Sequence, residues 1–153
     1  MRKRNKKGIT LIELVVVMII IAIGAVLLVP NIGGWLPKYR LRSATRDAVS
    51  MLRTAQMKAV STNISYGVGF DANAFQLYYQ SSAGLIAEGG IINLPSGVQF
   101  NNNTFPINGA LGKPFAQFNP DSTSSPGGVT LQNTKGNQRR ITLTTATGRV
   151  RIN

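Results

Sequence analysis

The sequence has no cysteine and no histidine among its 153 residues, and only five acidic residues against seventeen Lys and Arg. Without cysteine no disulfide supports the fold, even in a compartment that would permit one. Without cysteine or histidine, Ser-His-Asp and Cys-His catalysis are absent, as are most zinc sites. The acids Glu13, Asp47, Asp71, Glu88 and Asp121 are scattered and offer no acid–base pair. One carboxylate per loop, at Asp71 and at Asp121, is a weak calcium pattern. The expectation is a protein that is not an enzyme and holds no metal or cofactor.

Charge is also missing from one whole stretch, residues 14–37. Ahead of it stand Arg2, Lys3, Arg4, Lys6 and Lys7, which by the positive-inside tendency stay on the cytoplasmic side of a bilayer. Residues 9–29 are apolar apart from Thr10, Glu13 and Gly24. At about 1.5 Å per residue a helix of that length spans roughly 30 Å of hydrocarbon. A single span in the inner membrane follows, with the N-terminus in the cytoplasm. Glu13 is the anomaly, because a carboxylate inside a spanning helix is costly and tends to be paired or functional. The plainer alternative places it near enough to the headgroups to stay wet.

The residues Gly8-Ile9-Thr10-Leu11-Ile12-Glu13-Leu14, behind a short basic leader and before the apolar run, resemble the class III signal of type IV pilins and of the pseudopilins of type II secretion. The resemblance implies cleavage between Gly8 and Ile9 by a prepilin peptidase and N-methylation of the new Ile9 amine. It also implies a partner for Glu13, the N-terminal amine of a neighbouring subunit, and hence a role in assembly with other pilins. A conventional secretory signal is the rival, but the sequence lacks the small-residue site that would end one. Cleavage would leave 12 Lys/Arg against 5 Asp/Glu, a net +7. The expected organisation is a leader at 1–8, a transmembrane and filament-core helix at 9–37, and an exported domain at 38–153.

Pro30, Gly33, Gly34 and Pro37 form a weak patch where a helix should kink or break. Over residues 38–61, Leu41, Ala44, Ala48, Leu52, Ala55 and Ala59 recur at three- and four-residue steps, predicting an amphipathic helix. Arg42, Arg46 and Arg53 fall on a different face, as a solvated surface or as a contact with phosphate or a neighbouring subunit. A helix continuous over residues 9–61 would be ~80 Å long.

Residues 62–153 read as short strands and turns. Residues 66–70 and 75–79 flank a turn-forming loop and predict a hairpin. Residues 91–94 and 98–100 bracket the turn Pro95-Ser96-Gly97, and residues 101–112 read as loop. A short strand is expected at 115–119 and a mobile loop at 119–128. Residues 129–132, 141–144 and 149–152 alternate apolar and polar residues with period two, as half-buried antiparallel strands do. The fold class is therefore α+β, a long helix packed on an antiparallel sheet.

Lys135, Arg139, Arg140, Arg149 and Arg151 lie within seventeen residues, beyond the last acid. Pairing of 141–144 with 150–152 would cluster them at one end and edge of the sheet, with Val150 and Ile152 facing the core. Such an edge attracts nucleic-acid phosphate. Charge on an edge strand also blocks edge-to-edge aggregation, which is the rival explanation. The segments Phe118-Asn119-Pro120, Gly127-Gly128-Val129-Thr130-Leu131 and Gly148-Arg149-Val150-Arg151 resemble the FimT/GspH family of minor pilins and pseudopilins. Among FimT-like members, a terminal Gly-Arg-x-Arg implies binding of double-stranded DNA in natural transformation. GspH-like members imply instead a structural place in the type II secretion pseudopilus. Asp121 departs from the pattern, placing an acid where relatives carry a basic or small residue.

Overall fold

The computed structural model describes residues 9–28 and 32–153. The basic leader, Gly8 of the expected cleavage site, Val29 and Pro30 lie outside the described residues. The chain divides into two units, Met1–Gly34 and Trp35–Asn153.

Helix α1 runs over Leu11–Leu28. Thr10 caps it, its Oγ1 accepting from the Glu13 N–H at 3.3 Å, and this places Glu13 in the first turn, where a carboxylate meets the positive end of the helix dipole. Among the described residues no helix is long and apolar enough to cross a membrane. The expected span, 9–29, runs beyond the described end of α1. Its described apolar side chains, such as Leu11, Met18 and Ile20, are exposed.

Helix α2 covers Ile32–Thr62, about 46 Å at the usual rise. It begins earlier than expected and takes in Gly33, Gly34 and Pro37. Pro37 lies close to the helix start, where its missing N–H removes only the bond to the Gly33 carbonyl. The helix expected over 9–61 is described as α1 and α2, and its continuity through residues 29–31 lies outside the described residues. Along α2, Leu41, Ala44, Thr45, Ala48, Val49, Leu52, Ala55 and Ala59 are buried, the stripe that the periodicity predicts. Thr45 adds a hydroxyl to it, satisfied by donating to the Leu41 carbonyl at 2.7 Å.

Two antiparallel sheets share one core with that stripe. The first has the order β3-β2-β1-β6-β5, from β1 (Tyr66–Phe70), β2 (Ala74–Ser81), β3 (Gly84–Asn93), β5 (Ile107–Asn108) and β6 (Lys113–Phe118). The second has the order β4-β7-β8-β9, from β4 (Val98–Asn103), β7 (Gly127–Asn133), β8 (Gln138–Thr144) and β9 (Arg149–Ile152). The predicted hairpin is β1–β2, with Phe70 opposite Phe75. Phe70 also stacks on Phe105 at 5.5 Å and meets Phe100 edge-on at 5.5 Å, joining the sheets at one end.

The turn expected at Pro95-Ser96-Gly97 is present, the Val98 N–H donating to the Pro95 carbonyl at 3.1 Å; β3 pairs with β2 and β4 with β7, so it carries the chain from one sheet to the other. Two expectations are corrected. The stretch 101–112 is not all loop, because β4 runs to Asn103 and β5 pairs with β6. The stretch 119–128 is not a free loop. The Asn119 and Ser125 N–H groups donate to the Thr123 and Gln117 carbonyls, each at 2.9 Å. The Ser124 N–H donates to the Thr145 carbonyl at 2.9 Å, fastening this segment to the β8–β9 turn.

Candidate functional site

The site grows from the hairpin β8–β9, where Thr142 lies opposite Arg151 and Thr144 opposite Arg149. This is the pairing expected from the sequence, and β9 is an edge strand. Alternation turns Val150 into the core, while Arg149 and Arg151, about 6.8 Å apart along the strand, stay exposed on the other face. Ile152, expected in the core, is instead 43% exposed, because it sits at the rim of the last strand.

Arg140 is exposed and lies two residues from Thr142 on β8, which makes it the diagonal neighbour of Arg151 at about 7–8 Å. Arg139 is half-buried and opposite Leu131, whose side chain is in the core, so it belongs to the other face. Lys135 stands exposed in the β7–β8 turn, at the far end of β8 from Arg149. The five candidate cations therefore divide. Arg140, Arg149 and Arg151 share one surface; Arg139 and Lys135 do not join it.

What the sequence reading did not bring to this place is α2. A groove of about 710 Å³ runs between α2 and β9, lined by Arg53, Gln56, Met57, Arg149, Val150 and Arg151 among others. Arg46, Arg53, Met57 and Ile152 line a second hollow of about 370 Å³. Gln56 Nε2 donates to the Thr147 carbonyl at 3.1 Å and ties the helix to the hairpin turn. The sequence marked Arg46 and Arg53 as one helix face, but the partner of that face is a tertiary matter.

The electrostatics are one-sided. Among the described residues the ion pairs are Lys58–Glu88 and Lys113–Asp71, and no arginine is paired with a carboxylate. Asp71 thus neutralises Lys113 at 2.8 Å, and that hydrogen bond is the main cause that raises the lysine's pKa above its usual value. Asp121, the acid that departs from the family pattern, accepts from the Thr123 hydroxyl at 2.7 Å and from its N–H at 3.0 Å. Those two bonds, the hydroxyl first, hold its carboxyl below the ordinary range. Among the described residues no three His, Cys, Asp or Glu side chains group as metal ligands. No aromatic residue lines the groove, so the surface is suited to phosphate contacts rather than to stacking on bases.

Comparison with known proteins agrees with this architecture. Residues 3–29 match the model of the prokaryotic N-terminal methylation motif, and residues 44–148 match that of the type II transport protein GspH. No curated protein matches the sequence. Among solved structures, the minor pseudopilin EpsH of the type 2 secretion system of Vibrio cholerae is similar at a TM-score of 0.61 and 13% identity, over 74% of this chain and 96% of that one. The type IV minor pilin FimU of Pseudomonas aeruginosa is similar at 0.57 and 14%, over 76% and 90%. At such identities the likeness is one of fold.

Proposed function

The chain belongs to the GspH family of type II transport proteins, a family of structural filament subunits, and on that premise we propose that this minor pilin or pseudopilin holds extracellular double-stranded DNA. Arg149 and Arg151 make the main phosphate contacts, with Arg140 beside them and Arg53 across the groove. Arg139 and Lys135 add longer-range attraction. The observation that supports this reading most is that Arg53, Arg149 and Arg151 line one open groove with no carboxylate among its lining residues. Contacts of this kind are sequence-tolerant, since phosphates carry no direct base information.

The methylation motif marks a membrane-anchored precursor that joins a filament with other pilins after processing by a prepilin peptidase. In our reading the cut falls between Gly8 and Ile9, and the Ile9 amine is methylated. The apolar run holds the precursor in the inner membrane with its N-terminus in the cytoplasm, and residues 38–153 are exported. A second reading keeps the same assembly without DNA: a structural pseudopilin of the secretion system, favoured by the match over 44–148 and the likeness to EpsH. There the β9 arginines would guard an exposed edge.

A titration of duplex DNA onto residues 35–153 at several salt concentrations separates the two. With about four phosphates contacted, log affinity falls against log salt with a slope near −3.6. In the folded Arg149→Ala/Arg151→Ala variant the slope falls to about −1.8. No binding at low salt, or equal binding by the variant, returns β9 to edge protection.

A further inference from the structure

At the other end of α2 a second surface faces away from the core. Trp35 and Tyr39 stack with ring centroids 5.1 Å apart and an interplanar angle of 25°, yet they are 63% and 55% exposed. At about 100° of rotation per residue, Lys38 and Arg42 fall within the same arc of roughly 100° as the two rings. Both cations are exposed. Arg40, outside that arc, is engaged elsewhere: its Nη1 donates to the Ser96 carbonyl and hydroxyl oxygens at 3.0 Å each. No acid occurs between Glu13 and Asp47. Trp35 follows the last residue of α1 by seven positions in the chain.

We propose that, before assembly, this cluster lies in the headgroup layer on the outer face of the membrane, with Lys38 and Arg42 against the phosphates of anionic lipids. This rests on the reading of the chain as membrane-anchored through its apolar run. Two amphipathic rings just beyond such a run suit the interface, where an apolar body and a polar tip are both satisfied. Cations beside them gain from a negative surface that decays within a Debye length, so their nearness to the run in sequence matters. A neighbouring protein subunit would cover the rings equally well. The pair of cations with no acid for thirty-three residues favours the lipid surface.

Trp35 is the sole tryptophan, so its emission reports this place alone. The full chain is reconstituted in phosphatidylethanolamine/phosphatidylglycerol vesicles and floated after an alkaline wash. A chain that does not float refutes the membrane anchor itself. For a chain that floats, Trp35 emission lies blue of a water-exposed indole. Lipids brominated near the carbonyls quench it more than lipids brominated near the chain ends. Replacing phosphatidylglycerol by phosphatidylcholine weakens the quenching, and in Lys38→Gln/Arg42→Gln the ratio of engaged to free cluster falls by about fivefold per cation removed. Water-like emission without lipid quenching in a floating chain overturns the proposal. So does quenching indifferent to both phosphatidylglycerol and the double variant, or blue emission that appears only as chain density rises, which marks a neighbouring subunit.

Discussion

Gly148 accounts for the first letter of the Gly-Arg-x-Arg motif by shape rather than by contact with a ligand. Its φ is +59°, in the left-handed region, and an added Cβ would stand 2.7 Å from Gln56 Nε2 and 2.8 Å from the Ser122 carbonyl oxygen. The glycine therefore lets the hairpin turn close against both α2 and the segment before β7, and in doing so it sets where Arg149 begins. Replacing Gly148 with Ala should destabilise the domain by about 1–3 kcal/mol, seen as a lower denaturant midpoint at unchanged slope. A midpoint equal to wild type would show that the turn has room the geometry denies. Thr10 illustrates the same scale at the other terminus. The pattern Thr10-x-x-Glu13 is legible as a capping sequence, and it gives Glu13 a local role in starting α1 beside any role in assembly.

Among elements, α2 was the most legible. Its buried stripe follows from residue spacing alone, because a helix exposes its period directly. Leu52, fully buried at the centre of that stripe, shares the core with residues of both sheets. Leu52→Ala should cost about 2–5 kcal/mol, measured by chemical denaturation; a loss under about 1 kcal/mol would mean the core collapses into the gap. The hairpins β1–β2 and β8–β9 were equally readable, since a short turn fixes their register. Less legible was β3, where Gly84, Gly89 and Gly90 interrupt the alternation and a register shift interrupts its pairing with β2. The membership of β4 in the second sheet was hidden too, because no local period records a partner 26 to 35 residues away. The candidate site divides along the same line. Arg149 and Arg151 were visible in the tail, whereas Arg53 and Gln56 enter only because α2 lies beside β9.

For the whole molecule, membership of the family turns Glu13 into a question about assembly. Glu13→Ala should leave insertion in the membrane intact while lowering incorporation into filaments, measured as the ratio of filament-borne to membrane-borne subunit. Incorporation at the wild-type level would leave the carboxylate only its place in the first turn of α1. The two sheets, meanwhile, are threaded through one another: three strands of the first, one of the second, two more of the first, then the remaining three of the second. Strand β1 lies between β2 and β6, and Tyr66 meets Phe118 across 52 residues. This arrangement sets a clock. At a synthesis rate of about 5–20 residues per second, the 48 residues from the end of β1 to the end of β6 take roughly 2–10 s to make. For that interval one whole edge of the central strand Tyr-Gly-Val-Gly-Phe has no mate. The nascent subunit must be shielded from its sister chains for seconds at a time, each time one is made.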